Sequence, residues 1–207
     1  TEITPTSEGG TKMIKVGLIG LGRTGSIVAK GLLTDPKIDL VSALARPGSS
    51  KIGKDLGDIL DTRPTGLLVK GSNKLDGEIW ETSPDVLVDF TNPEACLKNL
   101  RVAALHGIPF IIGTTGFSAE QLNAVQAISQ QFKSTVVYAP NLSLGINVLL
   151  NLVLKAAEIL GDWDIEIIET HHRHKKDAPS GTALKIAEQL GNCRDIPEEM
   201  IALGQSS

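Results

Sequence analysis

The sequence predicts an α/β fold, a doubly wound parallel sheet followed by a smaller α+β domain. Three observations carry this. Short apolar runs alternate with helical stretches from Met13 to Tyr138, as βαβ units require. Gly20-Leu21-Gly22-Arg23-Thr24-Gly25 stands between the first such run and the first helix. Hydrophobic residues make up 41% of the 207 and aromatics only 3%, so the core is aliphatic, as in domains with buried parallel strands.

Taken in order, residues 1–12 are polar and aperiodic, and read as a disordered tail or cloning remnant rather than a signal peptide. The first strand spans 14–19. A helix runs from Ser26 until Asp35-Pro36 stops it, and 39–45 form the second strand. A polar loop, Arg46-Pro47-Gly48-Ser49-Ser50, precedes a short helix within 52–60. Segments 66–69 and 86–90 are the next strands, the second the clearer. Residues 93–106 form a helix with Pro93 in its first turn and Gly107 at its end. Strand 109–112 leads into Gly113-Thr114-Thr115-Gly116, and helix 118–132 opens on a capping box of Ser118 and Gln121. Strand 135–138 closes a domain spanning 13–140. The second domain, 141–207, begins with a helix over 143–160 so apolar that burial on several sides is expected. Residues 164–169 then alternate as a half-buried strand, and Ser180 N-caps a last helix whose apolar positions are Ala183, Leu184, Ile186, Ala187 and Leu190.

Composition excludes several classes. A formal net charge of -4 argues against a general nucleic-acid binder. Two distant cysteines, Cys96 and Cys193, suggest neither a disulfide framework nor a zinc ribbon and suit a reducing cytoplasm. No apolar run reaches membrane-spanning length.

The G-x-G-x-x-G of Gly20, Gly22 and Gly25 gains meaning from its strand-to-helix setting, where glycines let the backbone approach a pyrophosphate resting on the helix N-terminus. The alternative is an ordinary tight turn. An enzyme using NAD commonly offers Asp or Glu at the end of the second strand, whereas here Ala45 is followed by Arg46. A cation without the carboxylate favours a 2′-phosphate, so NADPH is expected ahead of NADH. Arg46 could also be a solvated loop residue. Gly113-Thr114-Thr115-Gly116 ends a central strand, where ligands of open sheets lie, and suits close approach to a nicotinamide or substrate edge as well as it suits a structural turn.

The richest stretch is Glu169 to Thr182, which holds three of the four histidines. His171, His172, Arg173, His174, Lys175 and Lys176 form a basic block, and Pro179-Ser180-Gly181-Thr182 follows as a helix start whose free N–H groups make a second anion site. A small carboxylate-bearing molecule is the expected partner. As a metal site the histidines lack i, i+4 spacing and a partner cluster, and as a nucleic-acid patch the block is short and without aromatics. A solvated charged loop remains the plain alternative.

These residues resemble the 4-hydroxy-tetrahydrodipicolinate reductase (dihydrodipicolinate reductase) family of lysine and diaminopimelate biosynthesis. The likeness rests on E-x-H-H-R-H-K-x-D-A-P-S-G-T-A at 169–183, supported by Gly22-Arg23-Thr24-Gly25, Val88-Asp89-Phe90-Thr91, Gly113-Thr114-Thr115-Gly116 and Ala139-Pro140-Asn141. It implies a Rossmann-like domain for NADPH or NADH, a substrate domain that assembles homotetramers, and reduction of a cyclic imine dicarboxylate. By position it implies His171 as an acid, Lys175 as proton donor and His172 as a substrate contact. Ser180, Gly181, Thr182 and Thr115 would meet the substrate, and Gly20, Gly22, Arg23, Thr24, Gly25, Arg46, Phe90, Gly113, Thr114 and Asn141 the cofactor. Charge balance agrees, since a dianionic substrate calls for cations and N–H donors, and hydride addition to a conjugated ring calls for an acid. Three departures stand out: Thr24 where the family usually has Met, Ala45 where it often has an acid, and a family pattern that continues beyond residue 207. The last leaves two expectations, a piece of a longer chain or a shortened relative. Against the reductase stand a weak NADP-binding sensor or assembly partner, a nucleic-acid module built on the basic block, and a reductase of another cyclic imine.

Overall fold

The computed structural model describes residues 12–171, 173 and 178–202, the side chain of residue 198 excepted. The chain divides into two compact units, Thr1–Pro140 and Asn141–Ser207.

The first unit is built on a six-stranded parallel sheet. Its strands are β1 (Ile14–Ile19), β2 (Ile38–Ala45), β3 (Lys70–Gly71), β4 (Val86–Asp89), β5 (Phe110–Ile112) and β6 (Val136–Tyr138), in the order β3-β2-β1-β4-β5-β6. Helices α1 (Arg23–Thr34), α2 (Leu56–Leu60), α3 (Leu75–Thr82), α4 (Pro93–Leu105) and α5 (Ala119–Phe132) connect them. Chain order reverses between β1 and β4, so the crevice that open parallel sheets offer a ligand lies past the ends of those two strands.

The alternation of side chains along a strand divides the core between the two faces of the sheet. Ile19, Leu44 and Leu87 point to one face, against Leu75, Ile79, Leu100, Ala103, Val125 and Ile128 of α3, α4 and α5. Leu18, Ala43 and Ala45 point to the other, against Ala29 of α1 and Leu56 and Leu60 of α2. Both faces are covered, which is why these strands read as unbroken apolar runs. Local chemistry sets the helix ends. Asn92 caps α4 by accepting from Ala95 N at 3.0 Å ahead of Pro93, and Ser118 with Gln121 forms the capping box of α5.

Four expectations change. Helix α1 begins at Arg23, inside the glycine motif. The helix expected over 52–60 is only Leu56–Leu60, because Gly53 N and Lys54 O are taken up by hydrogen bonds with Val69 and because Asp55 caps the helix, accepting from Gly57 N at 2.7 Å. Residues 66–69 do not join the parallel ladder. They run back against the 53–56 segment, with an antiparallel bridge from Asp55 to Leu68, and the strand is Lys70–Gly71. Helix α3 went unread, since Asn73 to Thr82 mixes charge and glycine without a clear stripe.

In the second unit, α6 (Leu144–Ile159) packs on α7 (Gly181–Cys193) through Leu150, Val153, Leu154 and Ala157 against Ile186 and Leu190. Arg194 closes the carboxyl end of α6, its guanidinium donating to the carbonyls of Ala157, Leu160 and Trp163 at 2.5–3.3 Å. Two expectations fail here. Helix α6 has one buried residue, Ala157, while Leu144, Leu152 and Ile159 are mostly exposed. Residues 164–169 form no strand, because alternation makes a strand only when a neighbouring ladder accepts it and none stands beside them among the described residues.

Candidate functional site

In the first unit the site grows from the turn after β1. Gly20 has φ +98, and a Cβ there would fall 2.4 Å from the Phe90 carbonyl. A Cβ on Gly25 would lie 1.8 Å from the Gly20 carbonyl. Gly22 differs, for a Cβ there would meet nothing within 4 Å. Two glycines therefore let protein pack against protein, while the middle one leaves backbone facing open space. Gly22 is also the N-cap of α1, with no side-chain cap and no acid in the first turn. The leading N–H groups of α1 thus meet no capping side chain and no first-turn acid, beside the exposed Arg23 and Thr24.

The adjoining strand ends are braced by a residue that sequence reasoning quoted within Val88-Asp89-Phe90-Thr91 but gave no role. Asp89 is fully buried at the end of β4. Its Oδ1 accepts from Thr91 N (3.0 Å), Thr91 Oγ1 (2.6 Å) and Thr114 Oγ1 (2.7 Å), and its Oδ2 accepts from Asn99 Nδ2 (2.8 Å). The carboxylate so ties the end of β4, the Gly113–Gly116 loop and α4 together. Burial, followed by the charge of Asp89, pushes the neighbouring Cys96 thiol far up, which makes it an inert core group. An acid inside Val86-Leu87-Val88-Asp89-Phe90 was the available signal.

This brace sorts the expected cofactor residues. Thr114 is buried, with its hydroxyl spent on Asp89 and on Thr91 N (2.8 Å), so only its backbone can face a ligand. Thr115 is exposed. Gly113 lies against the Phe90 ring, where a Cβ would come within 2.3 Å. Arg46 stands exposed past the end of β2. Lys51, also unremarked in the sequence, donates from Nζ to the Leu21 carbonyl in the glycine turn.

In the second unit Ser180 caps α7, its Oγ accepting from Ala183 N at 3.1 Å. Glu169 grips the same residue, accepting from Ser180 N at 2.7 Å and Ser180 Oγ at 2.5 Å. The hydroxyl of Ser180 is therefore committed within the protein. Glu169 Oε2 also lies 3.8 Å from His171 Nδ1, within ion-pair range of a protonated imidazole. Gly181 is exposed, and Thr182 Oγ1 accepts from Asn141 Nδ2 at 3.5 Å. Asn141, expected at the cofactor, makes its side-chain contacts here with Thr182 and Ser143 N. The expected roles of His172 and Lys175 fall outside the described residues. Among those residues no cluster of His, Cys, Asp and Glu could hold a metal ion, and no helix is long and apolar enough to cross a membrane.

Comparison with known proteins gives a consistent result. Residues 14–142 match the family model described as dihydrodipicolinate reductase, N-terminus, and 145–204 that described as its C-terminus. The chain is 42% identical over 185 residues to 4-hydroxy-tetrahydrodipicolinate reductase of Methanocaldococcus jannaschii, spanning 89% of this chain and 68% of that protein. With the Methylococcus capsulatus enzyme of the same name it is 43% identical over 179 residues, 85% of this chain and 64% of that one. The solved structure of dipicolinate-bound dihydrodipicolinate reductase from Paenisporosarcina sp. TG-14 superposes with TM-score 0.68 at 30% identity, covering 88% of this chain and 67% of the other. The chain thus spans about two thirds of the length of these relatives.

Proposed function

The chain belongs to the dihydrodipicolinate reductase family, and from that premise we propose that it supports the reduction of 4-hydroxy-tetrahydrodipicolinate to tetrahydrodipicolinate, with NADPH preferred over NADH. The observation that carries the cofactor half is the glycine turn, where Gly22 opens onto free space and Gly20 and Gly25 do not. Gly22, Arg23, Thr24 and Gly25 would hold the pyrophosphate by backbone N–H groups, with Gly20 shaping the turn. Arg46, following Ala45 where an acid would serve NAD, supports the 2′-phosphate form. Phe90, Gly113 and the Thr114 backbone would border the nicotinamide end. A bound reduced dinucleotide supplies the hydride, which no side chain can.

The substrate half rests on the second unit. The Gly181 and Thr182 N–H groups open α7 and must be satisfied from outside the helix, so a substrate carboxylate suits them. The dipicolinate held by the Paenisporosarcina relative is a ring dicarboxylate of that kind. With His171 Nδ1 turned towards Glu169, its Nε2 is the nitrogen left for substrate. His171 and Lys175 are assigned to proton delivery, His172 and Thr115 to substrate contact. Homotetramers assembled through the second unit, and residence in the cytoplasm, belong to the same proposal.

The test is NADPH oxidation with freshly made aldolase product, on this chain and on one extended to the length of its relatives. Turnover is expected at least in the extended chain, and Lys175→Ala should lower it about a hundredfold or more with NADPH affinity unchanged, as loss of a general acid does. Turnover that survives Lys175→Ala would sink the assignment of that lysine.

A further inference from the structure

Deepening the NADPH reading of this turn and resting on it, we propose that Lys51 is a positioning and specificity residue for the cofactor. It fastens the loop carrying Arg46 to the glycine turn and places a second cation beside Arg46 for the 2′-phosphate.

The geometry behind this lies in the chain between β2 and α2. Lys51 Nζ donates to the carbonyl of Leu21, the residue between Gly20 and Gly22. That carbonyl also accepts from Ser26 Oγ at 3.3 Å, so it is a fixed point at the start of α1. Between Arg46 and Lys51 the backbone is a short series of turns. Ser49 N donates to Arg46 O at 3.1 Å, and Lys51 N to Ser49 Oγ at 3.3 Å. Gly53 N donates to Val69 O at 2.8 Å and anchors the far end. Holding Lys51 therefore holds the Arg46 backbone at the mouth of the same turn.

Charge points the same way. A lysine ammonium has three protons, and one goes to Leu21. Among the described residues no carboxylate pairs with Lys51, Arg46 or Arg23, although acids outnumber Lys and Arg by 24 to 20. Lys70 shows what a structural lysine does in this fold, for it pairs with both Glu78 and Glu81. A half-buried Lys51 that meets a backbone carbonyl but no carboxylate, five residues on from the exposed Arg46 and bonded to the turn that opens α1, is a disposition that an added phosphate dianion would satisfy.

The experiment measures dissociation constants for NADPH and NADH by calorimetry at low and high ionic strength, on the wild-type chain and on Lys51→Met, Lys51→Arg and Arg46→Ala. Lys51→Met should weaken NADPH about tenfold, the size of one charge-assisted contact, and NADH about threefold or less. It should also reduce the salt dependence of NADPH binding, since one screened attraction is gone. Lys51→Arg should restore most of the discrimination. Equal weakening of both cofactors would make Lys51 a loop fastener only and overturn the proposal, as would unchanged affinities. Because the readout is a ratio in each variant, partial destabilisation cannot imitate it. A wild-type chain that binds neither dinucleotide would overturn the cofactor reading itself, a result distinct from a wild type that prefers NADPH and a Lys51→Met that still does.

Discussion

At the scale of single residues, the glycine turn makes opposite predictions for neighbouring positions. Gly22 has φ -73 and ψ -165, which alanine adopts freely, and space around it. Gly22→Ala should leave the unfolding midpoint nearly unchanged while NADPH affinity drops by about tenfold or more, because the new methyl fills the place of the phosphate. Gly25→Ala should do the reverse of sparing the fold, since its methyl meets the Gly20 carbonyl at 1.8 Å. Denaturant unfolding alongside NADPH titration separates the two, and equal effects would contradict the division of roles. Asp89 gives a second test. Asp89→Ala strands the Thr91, Thr114 and Asn99 donors in a buried space, so a loss of about 2–4 kcal/mol is expected by urea denaturation. A loss under about 0.5 kcal/mol would mean that the network does not brace the loop.

At the scale of elements, the capping chemistry of α2 predicts a pH effect. Asp55 accepts from Thr65 N, Gly57 N, Thr65 Oγ1 and Gly66 N, and these bonds, Thr65 N foremost, hold its carboxyl below the ordinary 3.8 against a smaller opposing effect of burial. A carboxyl whose pKa is lower folded than unfolded stabilises the fold above the unfolded value, and that stabilisation is lost as pH falls through the folded one. Asp55→Asn should therefore narrow the difference in urea midpoint between neutral pH and about pH 3, and an unaltered difference would rule Asp55 out as a source of acid lability. The same scale shows what could be read in advance. Strands β1, β2 and β4 and helices α4 and α5 were legible because periodicity, Pro93 and the Ser118 box speak locally. The β3 edge was not, since pairing of Lys70 with Leu44 is a long-range choice that Gly66-Leu67-Leu68-Val69 does not encode in its pattern. For the site, the glycines and the Ser180 cap were visible as motifs. Asp89 with Asn99 and Lys51 with Leu21 were invisible, because each couples positions that only the fold brings together.

At the scale of the whole chain, the two units differ in how much core each encloses. The clusters on both faces of the sheet lie entirely within the first unit, and its span exceeds the size at which a single domain struggles to bury enough surface. Among its described residues the second unit buries only Ala157, Ile186 and Leu190 as a cluster and leaves Leu144, Leu152, Ile159 and Ile168 mostly exposed. Residues 12–140 alone should consequently unfold cooperatively and bind NADPH within about threefold of the longer chain, whereas 141–207 alone should lack a cooperative transition and bind a dye for exposed apolar surface. Circular dichroism melts and NADPH titrations on the two pieces test this. The cofactor half should be autonomous, because the glycine turn, its Asp89 brace and the Lys51 latch all draw their partners from residues before Pro140. If residues 12–140 fold but do not bind NADPH, then the open space at Gly22 is not by itself a dinucleotide site, and the reading built on it fails at its first step.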